Sequence, residues 1–393
     1  MNRSTLAALI ALVAGSAANA QVVGTPVFLG QATFPTSLQF NGTTVGGLSG
    51  IAYDPATGGY LSVSDDRSQL NPARVYSLTV QPGATSADPL AVSFTGVTTL
   101  LRADGTQYPA ASIDPEGIAL HPSGNGFWVS NEGDANAGMG PSVGFYNRAT
   151  GQLTGSLAVN GARYNPNVNA PANTVGIRNN LAFETLTITP SGASVFTATE
   201  NALVQDGPAA TNANGSPSRI ARFDAVTGAA SGEFLYNVGA VINTPIPAGS
   251  FTTNGLVDML ALDDTHFLAL ERSFSTGVAG NAIRLYQVDL TGATDISGID
   301  SLSAVDPASI TAVSRTLLLD FDTLGITLDN IEGLTLGPVL PDGSRMLVLV
   351  ADNNFSATQV TQVLAFSLNV APTPAAAALL GLGGLAAGAR RRR

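Results

Sequence analysis

One phrase recurs five times along this chain, and its spacing leaves few folds open. The copies are GLSGIAYDPATGGYLSVSDD (47–66), DPEGIALHPSGNGFWVSNE (114–132), AFETLTITPSGASVFTATE (182–200), LVDMLALDDTHFLALER (256–272) and NIEGLTLGPVLPDGSRMLVLVADN (330–353). Aligned near their starts, they place Ser49, Glu116, Glu184, Asp258 and Glu332 in one column, with separations of 67, 68, 74 and 74. Each copy reads as a β-hairpin: an apolar strand such as 117–120, a turn built on Pro-Ser-Gly or Pro-Asp-Gly, and a returning strand such as 126–130.

A third strand follows every hairpin, at 74–80, 143–150, 219–228, 283–290 and 361–370. A fourth follows all but the last, at 92–101, 155–160, 232–238 and 315–321. The fifth copy has no room for one, and the unassigned run VFLGQATF (27–34) is free to supply it from the other end of the chain. Four-stranded units at a long, even period, the last completed by the N-terminus, predict an all-β chain folded as a β-propeller. The 43 glycines and 22 prolines fit many short strands joined by tight turns. A β-sandwich requires no such regular repeat, and a parallel β-helix would show a shorter one. Five units are counted; a sixth, degenerate one within 161–181 or 239–256 stays open.

The two ends read differently from the middle. MNRSTLAALIALVAGSAANA (1–20) has a basic start, an apolar stretch and an Ala-Asn-Ala end, the pattern of a secretory signal cleaved after Ala20. From Ala371 the chain reads APTPAAAALLGLGGLAAGARRRR, an apolar stretch of about 22 Å as a helix, short of a roughly 30 Å hydrocarbon core. The propeller domain is thus 21–370, between a signal at 1–20 and a sorting or anchor segment at 371–393. The tail resembles the PEP-CTERM sorting signal of Gram-negative bacteria, with Pro372-Thr373-Pro374 where that motif has Pro-Glu-Pro. The resemblance implies an exosortase-type processing enzyme as partner, a place in the cell envelope or on the extracellular surface, and membrane contact only through this segment.

Composition removes several chemistries. There is no cysteine, so neither disulfides nor thiolate sites exist, and all 17 basic residues are Arg. With Arg3 and Arg390–Arg393 in the terminal signals, 12 Arg face 28 Asp and Glu, a surface that repels nucleic acid and attracts cations. A phosphate-binding G-x-x-x-x-G-K-[ST] loop is impossible without Lys. The two histidines, His121 and His266, stand at hairpin turns and read as turn residues, and the lone Trp128 reads as packing within a blade.

What remains is acid. Residues just before each first strand, Glu116, Glu184, Asp258 and Glu332 with Ser49, should ring the channel on one face of a propeller. The residues ending each second strand, Asp65 or Asp66, Glu132, Glu200, Glu271 and Asp352, should return to that face. So many converging carboxylates repel one another unless protonated, paired with Arg or neutralised by a cation. Hard oxygen ligands at such density suit Ca²⁺, and the D-x-N-x-G spacing from Asp134 and the Asp352-Asn353-Asn354 corner add oxygens. The alternative reading makes these acids structural clips that accept backbone amides or pair with Arg, as the neighbours Arg67 and Arg272 permit.

The five hairpin phrases, in order, resemble the family described as esterase-like activity of phytase, a group of secreted bacterial propeller proteins. The resemblance covers roughly 45–369 and implies a propeller and hydrolysis of phosphate esters. Propeller phytases hold several Ca²⁺ ions on acidic residues, assisted by Lys and Arg; here the lysines have no counterpart. On that resemblance Ca²⁺ is the expected cofactor, held among Glu116, Glu132, Asp134, Glu184, Glu200, Asp258, Glu271, Glu332 and Asp352. Glu116 or Glu184 would serve as general base, and Arg67 and Arg272 would contact the phosphate, with Arg178 and Arg219 as further candidates. Two functions follow from different classes: a Ca²⁺-dependent phosphoric-ester hydrolase, or a non-catalytic propeller that binds an extracellular polymer or protein.

Overall fold

The computed structural model describes residues 23–166 and 174–370. After an opening strand β1 (Val27–Pro35) and a small hairpin of β2 (Gln39–Phe40) and β3 (Thr43–Thr44), the strands fall into sheets of four. Blade 1 is β4 (Leu48–Asp54), β5 (Gly59–Ser64), β6 (Arg74–Gln81) and β7 (Ala91–Thr99). Blade 2 is β8 (Pro115–Leu120), β9 (Gly126–Asn131), β10 (Ser142–Asn147) and β11 (Leu153–Ser156). Blade 3 is β12 (Thr187–Ile188), β13 (Ser194–Ala198), β14 (Ser216–Asp224) and β15 (Ala230–Val238). Blade 4 is β16 (Thr252–Ala261), β17 (His266–Ser275), β18 (Ala282–Asp289) and β19 (Ser314–Asp320). Blade 5 joins β20 (Asn330–Val339), β21 (Arg345–Asp352) and β22 (Val360–Leu368) to β1.

The inner strands β4, β8, β12, β16 and β20 touch in sequence and β20 returns to β4, so the ring closes at five blades. Closure is by ladder hydrogen bonds: Val27 lies opposite Ser367 and Pro35 opposite Val360. The stretches 161–166, 174–181 and 239–251 contain no strand, and so no sixth blade forms among the described residues. β11 ends at Ser156, short of the expected 160, because the Ala158 amide already bonds Gly228 of blade 3. The signal at 1–20 and the segment at 371–393 lie outside the described residues. Among those described, no helix is long and apolar enough to cross a membrane.

The core consists of five apolar clusters, one at each junction between blades. Ala52, Leu61 and Val63 of blade 1 meet Ile118, Phe127 and Val129 of blade 2, and Trp128 and Val143 of blade 2 meet Phe183, Val195 and Phe223 of blade 3. Phe196 and Ile220 of blade 3 meet Met259, Phe267 and Val288 of blade 4. Leu268 and Leu285 of blade 4 meet Leu334, Leu349 and Phe366 of blade 5, whose opposite face places Val348 and Val363 against Ile51 and Tyr60 of blade 1. Each sheet therefore buries both faces, which explains why the strands read as nearly continuous apolar runs.

Truncating one of these contacts should weaken the whole ring. Phe196→Ala removes a fully buried ring that packs edge-on against Phe267 at 4.8 Å, and urea unfolding should show a loss of about 3–5 kcal/mol. Phe251→Ala, at a residue 68% exposed, should change stability by no more than about 0.5 kcal/mol in the same measurement.

Candidate functional site

The axial ends of the hairpins are set by a repeated irregularity. In blade 1 the ladder runs Leu48↔Ser64 then Gly50↔Val63, so Ser49 bulges out at the axis. Blade 5 does the same at Glu332, between Ile331↔Ala351 and Gly333↔Val350. In blade 2 the break falls at Glu116 and Gly117, and in blade 3 Glu184 follows the bridge Phe183↔Thr199. These residues face one another across the axis: the Ser49 hydroxyl donates to Glu116 Oε2 at 2.5 Å and approaches Glu332 Oε2 at 3.3 Å.

Blade 4 departs from the sequence alignment by one residue. Its ladder runs Leu256↔Glu271 then Asp258↔Leu270, so the bulged position is Val257, not Asp258. The next second-strand position is then Arg272, equivalent to Asp65, Glu132, Glu200 and Asp352, not Glu271. The one-residue shift sends both expected ligands elsewhere. Asp258 accepts the amides of Met259 and Leu334, each at 2.8 Å, and is also hydrogen-bonded by the Leu186 amide, clipping blade 4 to its neighbours. Glu271 accepts from Tyr236 Oη at 2.8 Å, the Gly239 amide and Asn254 Nδ2 at 3.1 Å, and Arg315. The alignment matched acids to acids, and a shorter turn in the fourth copy hid the shift.

Asp65, not Asp66, belongs to the axial set. Asp66 turns away, accepting the Gln69, Leu70 and Asn71 amides and pairing with Arg74 at 2.7 Å. Room for the carboxylates comes from glycine: a Cβ at Gly47 would lie 1.8 Å from Asp65 Oδ1, and one at Gly255 would lie 2.1 Å from Glu200 Oε1.

Two groups of carboxylates converge, Asp114 with Glu116 and Glu132, and Glu132 with Glu184 and Glu200, each with one oxygen per residue within 4.8 Å of the others. All five residues are buried. Asp114 was not singled out by the sequence reading, although it stands in the column that holds Asn330 in the fifth copy. Glu132 Oε1 accepts the Ala182 amide at 2.8 Å, and its carboxyl also contacts those of Asp114 and Glu184. Facing carboxyls of this kind must share a proton or a cation.

Arg272 balances the other side, 2.9 Å from Glu332 Oε1 and 3.6 Å from Glu200 Oε1, while Asn330 Nδ2 donates to Glu332 at 2.9 Å and Asp352 at 3.2 Å. Asp352 Oδ1 accepts the Asn354 amide. Arg67 pairs with Asp114 and lies 3.4 Å from Asp134, with its side chain 26% exposed at the rim. The Asp134 loop turns on itself, Oδ1 accepting the Ala137 amide at 2.9 Å, so this carboxylate stands beside Arg67 and outside both convergent groups. Arg219 is fully buried against Asp206 and Glu233 as a staple of blade 3, and Arg178 donates to the carbonyls of Ala202 and Gly207. His121 and His266 stand at the hairpin turns of the opposite rim, His121 bonded to Ser123 and His266 to Asp263. Trp128 packs on Phe145 at 4.8 Å.

Burial dominates the electrostatics. It pushes Asp114 up to about 6 against the pull of Arg67, Glu200 to about 7 against that of Arg272, and Asp352 to about 8 with the added charge of Glu332. Glu116, Glu132 and Glu184 are also raised well above the ordinary range, first by burial and then by the charge of neighbouring carboxylates, and Asp65 by burial and then by Asp352 and Glu332; Glu332 is raised by burial, and Arg272 opposes the shift. Three buried carboxylate oxygens, Asp65 Oδ1, Asp114 Oδ2 and Glu200 Oε1, accept no hydrogen bond, although Asp114 Oδ2 is paired with Arg67 and Glu200 Oε1 lies 3.6 Å from Arg272. Oxygens around one Ca²⁺ at about 2.3–2.6 Å can lie up to about 5 Å apart, so both carboxylate groups fit such an ion. The open groove of about 630 Å³ lies elsewhere, between blades 3 and 4, lined by Leu235, Val238, Leu302 and Arg315 and by none of the axial acids.

Fold and site together define a five-bladed propeller with a buried acidic centre. The family model for phytase-like proteins, described as esterase-like activity of phytase, matches residues 43–355, and the chain belongs to this family. No curated protein matches its sequence. Among solved structures it is similar to an endo-arabinase from Bacteroides thetaiotaomicron at 13% identity, covering 87% of this chain and 98% of that one with a TM-score of 0.44. A Bacillus subtilis arabinanase matches at 14% identity, covering 81% and 93%, with a TM-score of 0.38. Hydrazine synthase of Kuenenia stuttgartiensis matches at 12% identity and a TM-score of 0.31; the match covers 79% of this chain and spans 57% of the length of that one. At such identities the chemistry of the axial face rests on its own residues.

The raised carboxyls fix the sign of a pH effect. The folded protein holds protons that the unfolded chain releases above about pH 4. That stability is present in full below this range and is lost as pH climbs through about 6, 7 and 8, the folded values of Asp114, Glu200 and Asp352. In chelator, Tm should therefore fall from pH 5 to pH 8, and Glu132→Gln, which keeps the bond to the Ala182 amide, should flatten the fall. A Tm that rises over this interval would contradict the assignment.

Proposed function

We propose that this protein is a Ca²⁺-dependent phosphoric-ester hydrolase of the cell envelope, exported by its N-terminal signal and sorted by its C-terminal segment. The observation that carries the reading is the convergence of Asp114, Glu116, Glu132, Glu184 and Glu200 around shared points, with Glu200 Oε1 buried and accepting no hydrogen bond. Membership of the phytase-like family supports the choice of ester.

Glu132, shared by both carboxylate groups, would hold the ion together with Glu184 and Glu200 on one side and Asp114 and Glu116 on the other. Bound there, Ca²⁺ supplies Lewis acidity toward a phosphoryl oxygen and makes its water more acidic. Arg67, at the rim and a quarter exposed, is placed to bind an anionic oxygen of the ester. Glu116, oriented by the Ser49 hydroxyl, would take a proton from water as the water oxygen bonds to phosphorus, and return it to the alcohol oxygen as the ester P–O bond breaks. Arg272 stays with Glu332 and Glu200 and limits repulsion as the ester approaches.

The depth of these acids favours a second reading. Glu132 and Glu200 are each 1% exposed, a burial suited to an ion or proton network that only steadies the ring of a non-catalytic propeller presenting its loops to a polymer or protein. Phosphate release from a panel of esters separates the two. The hydrolase reading expects turnover with millimolar Ca²⁺, loss in chelator, recovery on adding Ca²⁺ back, and a roughly 10²–10⁴-fold drop for Glu116→Gln. Folded, Ca²⁺-loaded protein that releases no phosphate from any ester would overturn it; a Ca²⁺-dependent rise in Tm without turnover would then favour the second.

A further inference from the structure

Blade 4 does not stop where its neighbours do. β16 starts five residues before its axial bulge at Val257, whereas β4 starts one residue before Ser49 and β20, also ten residues long, two before Glu332. The extra length lies beyond the axial ring, where Thr252 pairs with Ser275, Thr253 with Phe274 and Asn254 with Ser273 before Gly255 reaches Arg272. The two inner strands of this blade therefore stand above the acidic face as an overhang. The loop 239–251 is tied to it: the Ile246 amide donates to Thr276 O at 2.8 Å, the Thr276 amide to Phe251 O at 3.1 Å, and the Ile242 amide to Ser273 Oγ at 3.0 Å.

This well-bonded element keeps two large apolar side chains in water. Ile246 is 67% exposed and Phe251 68%, with the half-buried Phe274 ring 6.1 Å from that of Phe251. No charged residue occurs from Gly239 to Val257 or from Ser273 to Ile283, in a chain whose charge is otherwise strongly acidic. A grouped apolar patch on an ordered, uncharged element is the mark of a contact surface rather than of folding.

Strand alternation says which way it faces. Thr253 and Gly255 share one side of β16, and Gly255 faces Glu200, since a Cβ there would lie 2.1 Å from Oε1; Phe251 precedes the strand and joins this side through its ring contact with Phe274. Phe274, opposite Thr253, is on the same side. At about 3.3 Å per residue, Phe274 stands roughly 7 Å and Phe251 roughly 13 Å above Gly255. The patch is thus continuous with the acidic centre on the Glu200 side.

We propose that the blade 4 overhang is an apolar subsite of the acidic centre, built to receive the hydrocarbon part of an amphiphilic phosphate ester whose charged end lies over Glu200. The inference rests on the hydrolase reading and narrows its substrate class. An alkyl chain of about eight carbons, with C–C bonds of about 1.5 Å, spans roughly 9 Å when extended, enough to pass Phe274 and approach the Phe251 ring beside it.

Octyl phosphate and ethyl phosphate, compared in Ca²⁺ by phosphate release, test it. Wild-type protein should show a kcat/KM at least about tenfold higher for the octyl ester, because each buried methylene adds to binding. The double variant Ile246→Ser/Phe251→Ser, changed only at exposed positions, should lose that preference while its Tm and its ethyl phosphate rate stay as in wild type. Equal rates on the two esters, or a preference that survives in the double variant, would overturn the subsite and leave the hydrolase reading standing. Should neither ester be hydrolysed, the hydrolase reading falls on its own, and calorimetric titration with octylphosphonate and ethylphosphonate decides the subsite. A tenfold gap in affinity that closes in the double variant supports it; equal affinities, or no binding, overturn it.

Discussion

Five inner strands crowd so closely on the axis that the backbone itself sets the terms of this structure. A Cβ added at Gly50 would lie 2.7 Å from Glu116 O, one at Gly333 would lie 2.9 Å from Gly50 Cα, and one at Gly117 would lie 2.6 Å from Leu186 Cβ. Where strands approach like this, the residue that bulges out beside each glycine has nowhere to go but the axis. Ser49, Glu116 and Glu332 are delivered there by the same ring closure that packs the apolar clusters between blades, and Glu184, which has Thr185 in place of the glycine, joins them from blade 3. The acidic centre is thus a product of the fold's tightest point, and the stability of the one is tied to the electrostatics of the other.

That tie explains the distribution of cations. Among the axial second-strand positions, four carry carboxylates and the fifth carries Arg272, which lies between Glu200 and Glu332. Arg272 neutralises the blade 4 and blade 5 side, and Arg67 partly offsets Asp114 at the rim. The convergent groups centred on Glu132 are left to protons or to a metal. An uncompensated buried charge costs several kcal/mol, which is why the carboxyls respond by holding protons far above their ordinary range.

Much of this was legible in the sequence because the repeat is a direct image of the ring. The even period gave five blades, the apolar run at 27–34 gave the closing strand, and the hairpin direction put Glu116, Glu132, Glu184 and Glu200 on one face. What could not be read was register at the level of single residues. In blade 4 two adjacent residues, Glu271 and Arg272, point to opposite sides of one strand, and only the ladder shows that the arginine is axial. Asp258 presented the same ambiguity beside Val257. Asp114 escaped notice because its column in the alignment holds Gly47, Ala182, Leu256 and Asn330 in the other copies, so no repeated acid marked it. The overhang of blade 4 was hidden for a related reason: Thr and Asn at 252–254 carry no hairpin signal beyond the length of the strand itself.

The closing of blade 5 has a consequence for orientation. Because β22 runs away from the acidic face and β1 runs toward it, Val23 and Val370 meet in a bridge at the far rim, beside Gln287 of blade 4. The first and last described residues of the propeller therefore lie together on the side of the ring remote from the acids. The acidic face and the blade 4 overhang thus occupy the rim opposite this end of the seam at which the ring is zipped shut.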